Sequence, residues 1–409
     1  MNPRVAPLIC TALLAAALIG PGTAGASGLP PPASSLSPLA ALGKALFFDH
    51  ALSASGRLAC SSCHDPANAY AAPESAGPVM AGGANGGARG LRTVPSLRYL
   101  QNVPRFTRHL ILTRHAEPED VGPGGGLTWD GRADRLEEQP LAPLLDPREM
   151  ANANVSVLAV RLRACAESAQ LQRLAGAGRF ASDATLAQLA ARALARFQLE
   201  DPSFHPFDSR FDDYLRGTGT LSAAERRGLA LFNSPQKGNC AECHTSAPGP
   251  GGRPPVFTDY RFAALGVPRN PALVTNLDPA FHDLGLCGPY RRDLERESRA
   301  YCGLFRTPGL RNVARRHYYF HNGRFTSLED VLRFYVTRDL QPARWYPSAA
   351  PAADQTARVV PYDDLPPADR INVDRRDAPL DRRPGEAPAL TEAEMADVIA
   401  FLKTLDDRS

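Results

Sequence analysis

The sequence has little of what usually announces a function. Net charge is only +3 over 409 residues, which argues against a nucleic-acid partner and gives no membrane-surface signal. No run of alternating strands is visible, so a fold built on a sheet is not expected. The apolar run 8–19 is too short to cross a bilayer and is broken by Gly20-Pro21. Arg4 precedes it and the small residues Ala24-Gly25-Ala26 follow. Residues 1–26 therefore read as a cleaved signal peptide, with the mature protein starting near Ser27, outside the cytoplasm; an uncleaved anchor is the alternative. The remaining length suits two domains of ordinary size.

Cysteine is scarce too, at 8 residues, and Cys10 leaves with the signal. Four of the rest fall in two copies of one pattern, CSSCH at 60–64 and CAECH at 240–244. A zinc site does not suit it, because each histidine directly follows its second cysteine, too close for an ordinary fourth ligand. A redox disulfide needs a strand before the motif, and neither copy has one. Covalent haem fits: Cys60/Cys63 and Cys240/Cys243 add to the vinyl groups, and His64 and His244 turn beneath to reach the iron. Cys287 and Cys302 lie in a polar loop and read as a disulfide in an oxidising compartment. Cys165, in the helical stretch VSVLAVRLRACAESAQL, reads as a buried free thiol.

Similar elements precede the two motifs. Gly43-x-Ala45-Leu46-Phe47 is echoed by Gly228-x-Ala230-Leu231-Phe232, an internal repeat that points to two related haem domains. Helix starts are marked by Ser37-Pro38, by Ser222 with Glu225, and by Thr391 with Glu394. The expected fold is mainly α, two cytochrome c-like domains at 27–205 and 206–409 with long irregular loops. Residues 201–220 read as the connection between the halves.

Two haems in one exported chain allow either electron relay or catalysis at one open iron, and the iron ligands decide between them. Methionine, a frequent second ligand, is limited to Met80, Met150 and Met395 after the signal. The segments LGKALFFDHALSASGRLACSSCH, WDGRADRLEEQPLAPLLDPREM and GLFRTPGLRNVARRHYYFHNGRFTSLEDVLRFY, with the second CxxCH, resemble the bacterial di-haem cytochrome c peroxidase superfamily over nearly the whole mature chain. The resemblance implies a periplasmic enzyme whose N-terminal haem reduces hydrogen peroxide and whose C-terminal haem passes electrons. It implies that Trp129 lies between the haems, and that Gln139 and Glu149, with Pro143 beside them, form the pocket where peroxide binds.

Two departures from the family pattern matter. Ordinary members block the peroxide iron with a loop histidine after the first CxxCH. No histidine occurs here between His64 and His109, so that iron is expected to be open, with His109 and His115 as weak alternatives. Ordinary members also place a methionine ligand 14 residues after the histidine matching His321, and Tyr335 stands there. Leu328, Val331, Leu332 and Tyr335 share one helix face. Tyr335 as iron ligand marks the MauG-like branch, whose namesake oxidises tryptophans of a precursor protein. The electron source is then a small redox protein (a c-type cytochrome or cupredoxin) or an oxidisable protein substrate. An ordinary cytochrome c peroxidase and a non-catalytic electron carrier are the alternatives. Calcium is common between the family's domains, on an asparagine. Tyr99 stands at or near that place, so calcium is not firmly implied, and backbone oxygens near Arg316 and Tyr318 are the remaining donors.

Overall fold

Helices begin where the sequence offers caps. Ser37 Oγ accepts from Ala40 N at 3.2 Å and starts the helix Pro38–Phe48. Reciprocal boxes start Ala223–Asn233, through Ser222 and Glu225, and Glu392–Leu402, through Thr391 and Glu394. A further box, Ser209 with Asp212, starts the short helix Arg210–Leu215. The stretch expected only as a connection is therefore ordered, and its Phe211 is buried. The computed structural model describes residues 35–111, 122–291, 293–294, 298–346 and 359–409. The expected signal peptide and His115 lie outside the described residues.

The repeated Gly-x-Ala-Leu-Phe has a packing reason. Helix 38–48 lies against Asp183–Glu200, and a Cβ on Gly43 would fall 1.8 Å from the Ala193 carbonyl oxygen. Helix 223–233 lies against 392–402, where a Cβ on Gly228 would fall 2.0 Å from the Asp397 carbonyl oxygen. At both crossings the missing side chain lets two backbones touch. The phenylalanine four residues on fills the space beside the crossing: Phe47 meets Tyr70, Phe197 and Phe204, and Phe232 meets Phe257 and Phe401. Each close pair leads into a CxxCH and sets where it emerges.

Buried side chains form one large cluster from Leu42 to Phe204 and another from Phe211 to Leu405. Helices dominate. Strands among the described residues are short antiparallel pairs: Ala81–Gly82 with Ala88–Arg89, Thr107–Leu110 with Gly122–Gly124, and Phe262–Ala263 with Phe305–Arg306. Cys287 and Cys302 are disulfide-bonded. Cys165 is a buried free thiol whose Sγ donates to the Leu162 carbonyl at 3.2 Å. Among the described residues no helix is long and apolar enough to cross a membrane.

The crossings predict a contrast. Gly43→Ala and Gly228→Ala force two backbones apart, and each should cost about 1–3 kcal/mol in denaturant unfolding. Gly178→Ala, in the exposed helix Ala177–Ala181 with open space around it, should be neutral or gain about 0.5–1 kcal/mol. Equal effects at all three positions would contradict the packing role.

Candidate functional site

The second CxxCH opens on a cavity of about 250 Å³. Cys240–Glu242 form one tight turn, and His244 N closes it on the Cys240 carbonyl at 2.8 Å. The His244 ring directs Nδ1 at the Phe257 carbonyl, 3.0 Å away, with the Pro308 carbonyl as a second acceptor. Burial lowers its pKa to about 4, so the ring is neutral. An Nδ1–H committed to a carbonyl leaves the Nε2 lone pair free for a metal.

The helix Leu328–Thr337 also lines this cavity, through Leu328, Val331, Leu332 and Tyr335 among others. The shared face read from the sequence is thus the cavity face. Burial, and then the nearby thiols, push the Tyr335 phenol pKa well up. Burial also pushes the Cys240 thiol up to about 12. The cavity wall also holds buried cations. Arg316 Nε has no hydrogen-bond partner, and burial lowers its pKa; burial takes Arg306 down to about 10. Neither forms an ion pair among the described residues. Two unpaired cations, two thiols, a neutral imidazole and a phenol around an apolar cavity fit a c-type haem, whose propionates supply the missing anions.

The first CxxCH repeats the proximal arrangement. His64 N closes the Cys60–Cys63 turn at 2.9 Å. His64 Nδ1 meets the Tyr70 carbonyl at 3.1 Å, with the Pro95 carbonyl second, and burial again lowers the ring to about 4. Around it stands a compact unit of the chain, 139–152. Gln139 is half-buried at the entry to the helix Leu141–Leu145, which contains Pro143. The chain then folds back: Met150 N donates to the Pro143 carbonyl at 3.1 Å and Asn152 N to Leu144 at 3.2 Å. This brings Glu149 within electrostatic reach of Cys60 and Cys63, whose thiols burial pushes up to about 12. Burial first, and Asp146 second, raise the Glu149 carboxyl to about 7, against the opposing charge of Arg132.

The loop after the first CxxCH is latched onto this unit. It forms the 81–82/88–89 hairpin, Gly83 N donates to the Glu149 carbonyl at 2.8 Å, and a Cβ on Gly82 would fall 2.2 Å from the Arg148 carbonyl oxygen. The hairpin carries no histidine. His109 is exposed on the Thr107–Leu110 strand.

Trp129 borders the second site. Its Nε1 donates to the Thr93 carbonyl at 2.8 Å, and its own carbonyl accepts from Arg306 N at 2.9 Å. It lines the His244 cavity together with Thr93, Val94 and Pro95. The next residue, Asp130, is fully buried against Arg92 at 2.8 Å, and Arg92 also grips Asp283. One short segment, 93–96, therefore walls the His244 cavity and also supplies an acceptor to His64.

Two features were missed in the sequence reading. Arg92-Thr93-Val94-Pro95-Ser96-Leu97-Arg98 and Arg306-Thr307-Pro308-Gly309-Leu310-Arg311 are a second repeat, and its prolines are the second acceptors for the two histidines, after Tyr70 and Phe257. The signal was present, offset by one extra residue. His321, used only as a landmark, is buried in the cavity wall, stacked on Phe305 at 3.6 Å, with Nε2 unpartnered. Tyr99 turns its hydroxyl onto Asp407 at 2.7 Å. A separate small space by Arg316, His317 and Tyr318 is faced instead by Thr93 and Val94.

Residues 37–220 match the family model for di-haem cytochrome c peroxidase. The chain is 33% identical over 376 residues to the methylamine utilization protein MauG of Paracoccus denitrificans, covering 90% of this chain and 89% of that one. It is 30% identical to the cytochrome-c peroxidase IdrP1 of a Pseudomonas species, over 72% and 71% of the two chains. The crystal structure of the diheme peroxidase BthA from Burkholderia thailandensis superposes with a TM-score of 0.80 at 39% identity, covering 91% of this chain and 87% of that one. The two CxxCH motifs and these likenesses agree: the chain belongs to the di-haem cytochrome c peroxidase/MauG-like superfamily.

Proposed function

We propose that this chain is an exported, periplasmic di-haem peroxidase of the MauG-like branch. It reduces hydrogen peroxide at the His64 side and draws electrons through the His244 side. One observation carries the reading: the chain folds back to bring the half-buried Glu149 within electrostatic reach of Cys60 and Cys63, and the hairpin latched onto it through Gly83 holds no histidine. Haem supplies the iron that takes up peroxide and a second iron that stores an oxidising equivalent. His64 holds the first from the proximal side through Nε2. Glu149 takes the proton from the inner peroxide oxygen and returns it to the outer one, which leaves as water. Gln139 orients the peroxide.

Two electrons and two protons complete the reduction of one peroxide to two waters. Trp129, pinned by Thr93 and Arg306, is the aromatic bridge through which the second oxidising equivalent moves. Tyr335, which lines the same cavity as His244, would be the other ligand of the second haem. The electrons come from a small redox protein, a c-type cytochrome or cupredoxin, or from an oxidisable protein surface.

A base that must be ionised to accept the peroxide proton works above its pKa. The rate of the first reaction with peroxide should therefore rise with pH, reach half its plateau near pH 7, and level off above it. Glu149→Gln should lower that rate by about 10²–10⁴-fold and remove the pH dependence. Stopped-flow traces across the pH range read both, and an unchanged profile in the variant would exclude the role.

Tyr335→Phe removes the phenol oxygen while keeping the ring. The ferric spectrum of the His244-side haem should change spin state or ligand, and the His64-side haem should keep its own. An unchanged spectrum would make Tyr335 a packing residue only.

A further inference from the structure

The two segments that carry the proline acceptors converge on one buried carboxylate. From the first, Arg98 Nη1 meets Asp407 Oδ2 at 3.1 Å and Tyr99 Oη meets both carboxylate oxygens at 2.7 Å. From the second, Asn312 Nδ2 meets Oδ2 at 2.6 Å, Asp407 N returns a bond to Asn312 Oδ1 at 2.9 Å, and Arg311 Nη1 stands 3.8 Å from Oδ1. The Asp407 side chain is fully buried. The segments also touch each other: the Arg311 guanidinium lies over the Tyr99 ring at 5.0 Å. Arg311 has a second acid, Asp212, in two bonds of 2.8 Å. Among the described residues the only acid paired with Arg98 is Asp407.

Arg98 is three residues beyond Pro95, and Arg311 is three beyond Pro308. The two segments that each carry a second acceptor beside a proximal histidine, Pro95 and Pro308, thus share a single carboxylate. The bond from Nδ1–H to a carbonyl sets how much electron density the imidazole gives to iron, so it sets the balance between ferric and ferrous states. We propose that Asp407 is a positioning residue for both haem sites at once: it ties the Pro95 and Pro308 segments together and holds the two iron potentials down jointly. The proposal rests on haem being held at both CxxCH motifs.

The sign follows from charge and geometry. Asp407→Asn keeps the shape and removes the buried anion that both segments hold. It leaves Arg98 with its bond to the Ser409 oxygen alone and slackens both segments. Each change disfavours ferric iron, so both potentials rise. Tyr99→Phe keeps the charge and removes the hydroxyl's bonds to Asp407 and Phe207 N, so it should raise the His64-side potential.

Spectroelectrochemical titration of the holoprotein, alongside thermal unfolding, tests this. Asp407→Asn should move both midpoints upward together, and Tyr99→Phe should move the His64-side midpoint upward. A lowered unfolding temperature with both potentials in place would show a merely structural residue and overturn the proposal. So would a shift in Asp407→Asn confined to one haem. If Asp407→Asn fails to assemble, Tyr99→Phe decides: no shift on the His64 side overturns it. A parent chain without covalent haem would instead refute the reading beneath.

Discussion

A histidine can serve as a fixed proximal ligand only when its Nδ1 proton is committed elsewhere. Everything else here depends on that bond being made twice. His64 gives its proton to the carbonyls of Tyr70 and Pro95, and His244 to those of Phe257 and Pro308. Tyr70 and Phe257 are near in sequence, whereas Pro95 and Pro308 come from segments further downstream, so the chain must also hold distant backbone against a short turn. The glycine crossings place the turn. The Arg-Thr-Pro segments, pinned at Asp407, place the second acceptors.

The two sites share this proximal half and differ in the half that does chemistry. Near the first motif stands an irregular turn stabilised by its own backbone bonds, and it carries a carboxyl near its midpoint at neutral pH. Near the second stands a regular helix whose apolar face carries one phenol. A polar turn suits proton movement at an open position, and a packed helix suits a closed site that exchanges only electrons. Trp129 sits on the shared wall, with its indole nitrogen held by the backbone that supplies an acceptor to His64. The surroundings of the reacting groups, rather than the fold alone, separate the roles.

Much of this was legible in the sequence because it is local. The caps at Ser37, Ser222 and Thr391 act within three residues. The inward face of 328–337 follows from helix period alone, and it placed Tyr335 in the cavity wall correctly. The glycine repeat was visible as a pattern, but its cause, backbone against backbone at Ala193 and Asp397, was not. Contacts across large sequence separations left no local trace: Arg98 and Tyr99 meet Asp407 more than 300 residues away. The sequence marked Tyr99 only as standing where the family has an asparagine, and did not show that its hydroxyl is engaged by a carboxylate. The second repeat escaped because Val94 lengthens one copy. The strand pairs escaped because two residues are too few to show an alternation.

The central claim is that the iron position opposite His64 is open in the resting protein, since the loop that closes it in ordinary peroxidases is a histidine-free hairpin latched onto Glu149. Electron paramagnetic resonance of the fully oxidised protein, before and after peroxide, tests this most directly. The account predicts one high-spin and one low-spin ferric haem, with the high-spin signal lost on adding peroxide without prior reduction. Two low-spin signals, and reaction only after half-reduction, would contradict it.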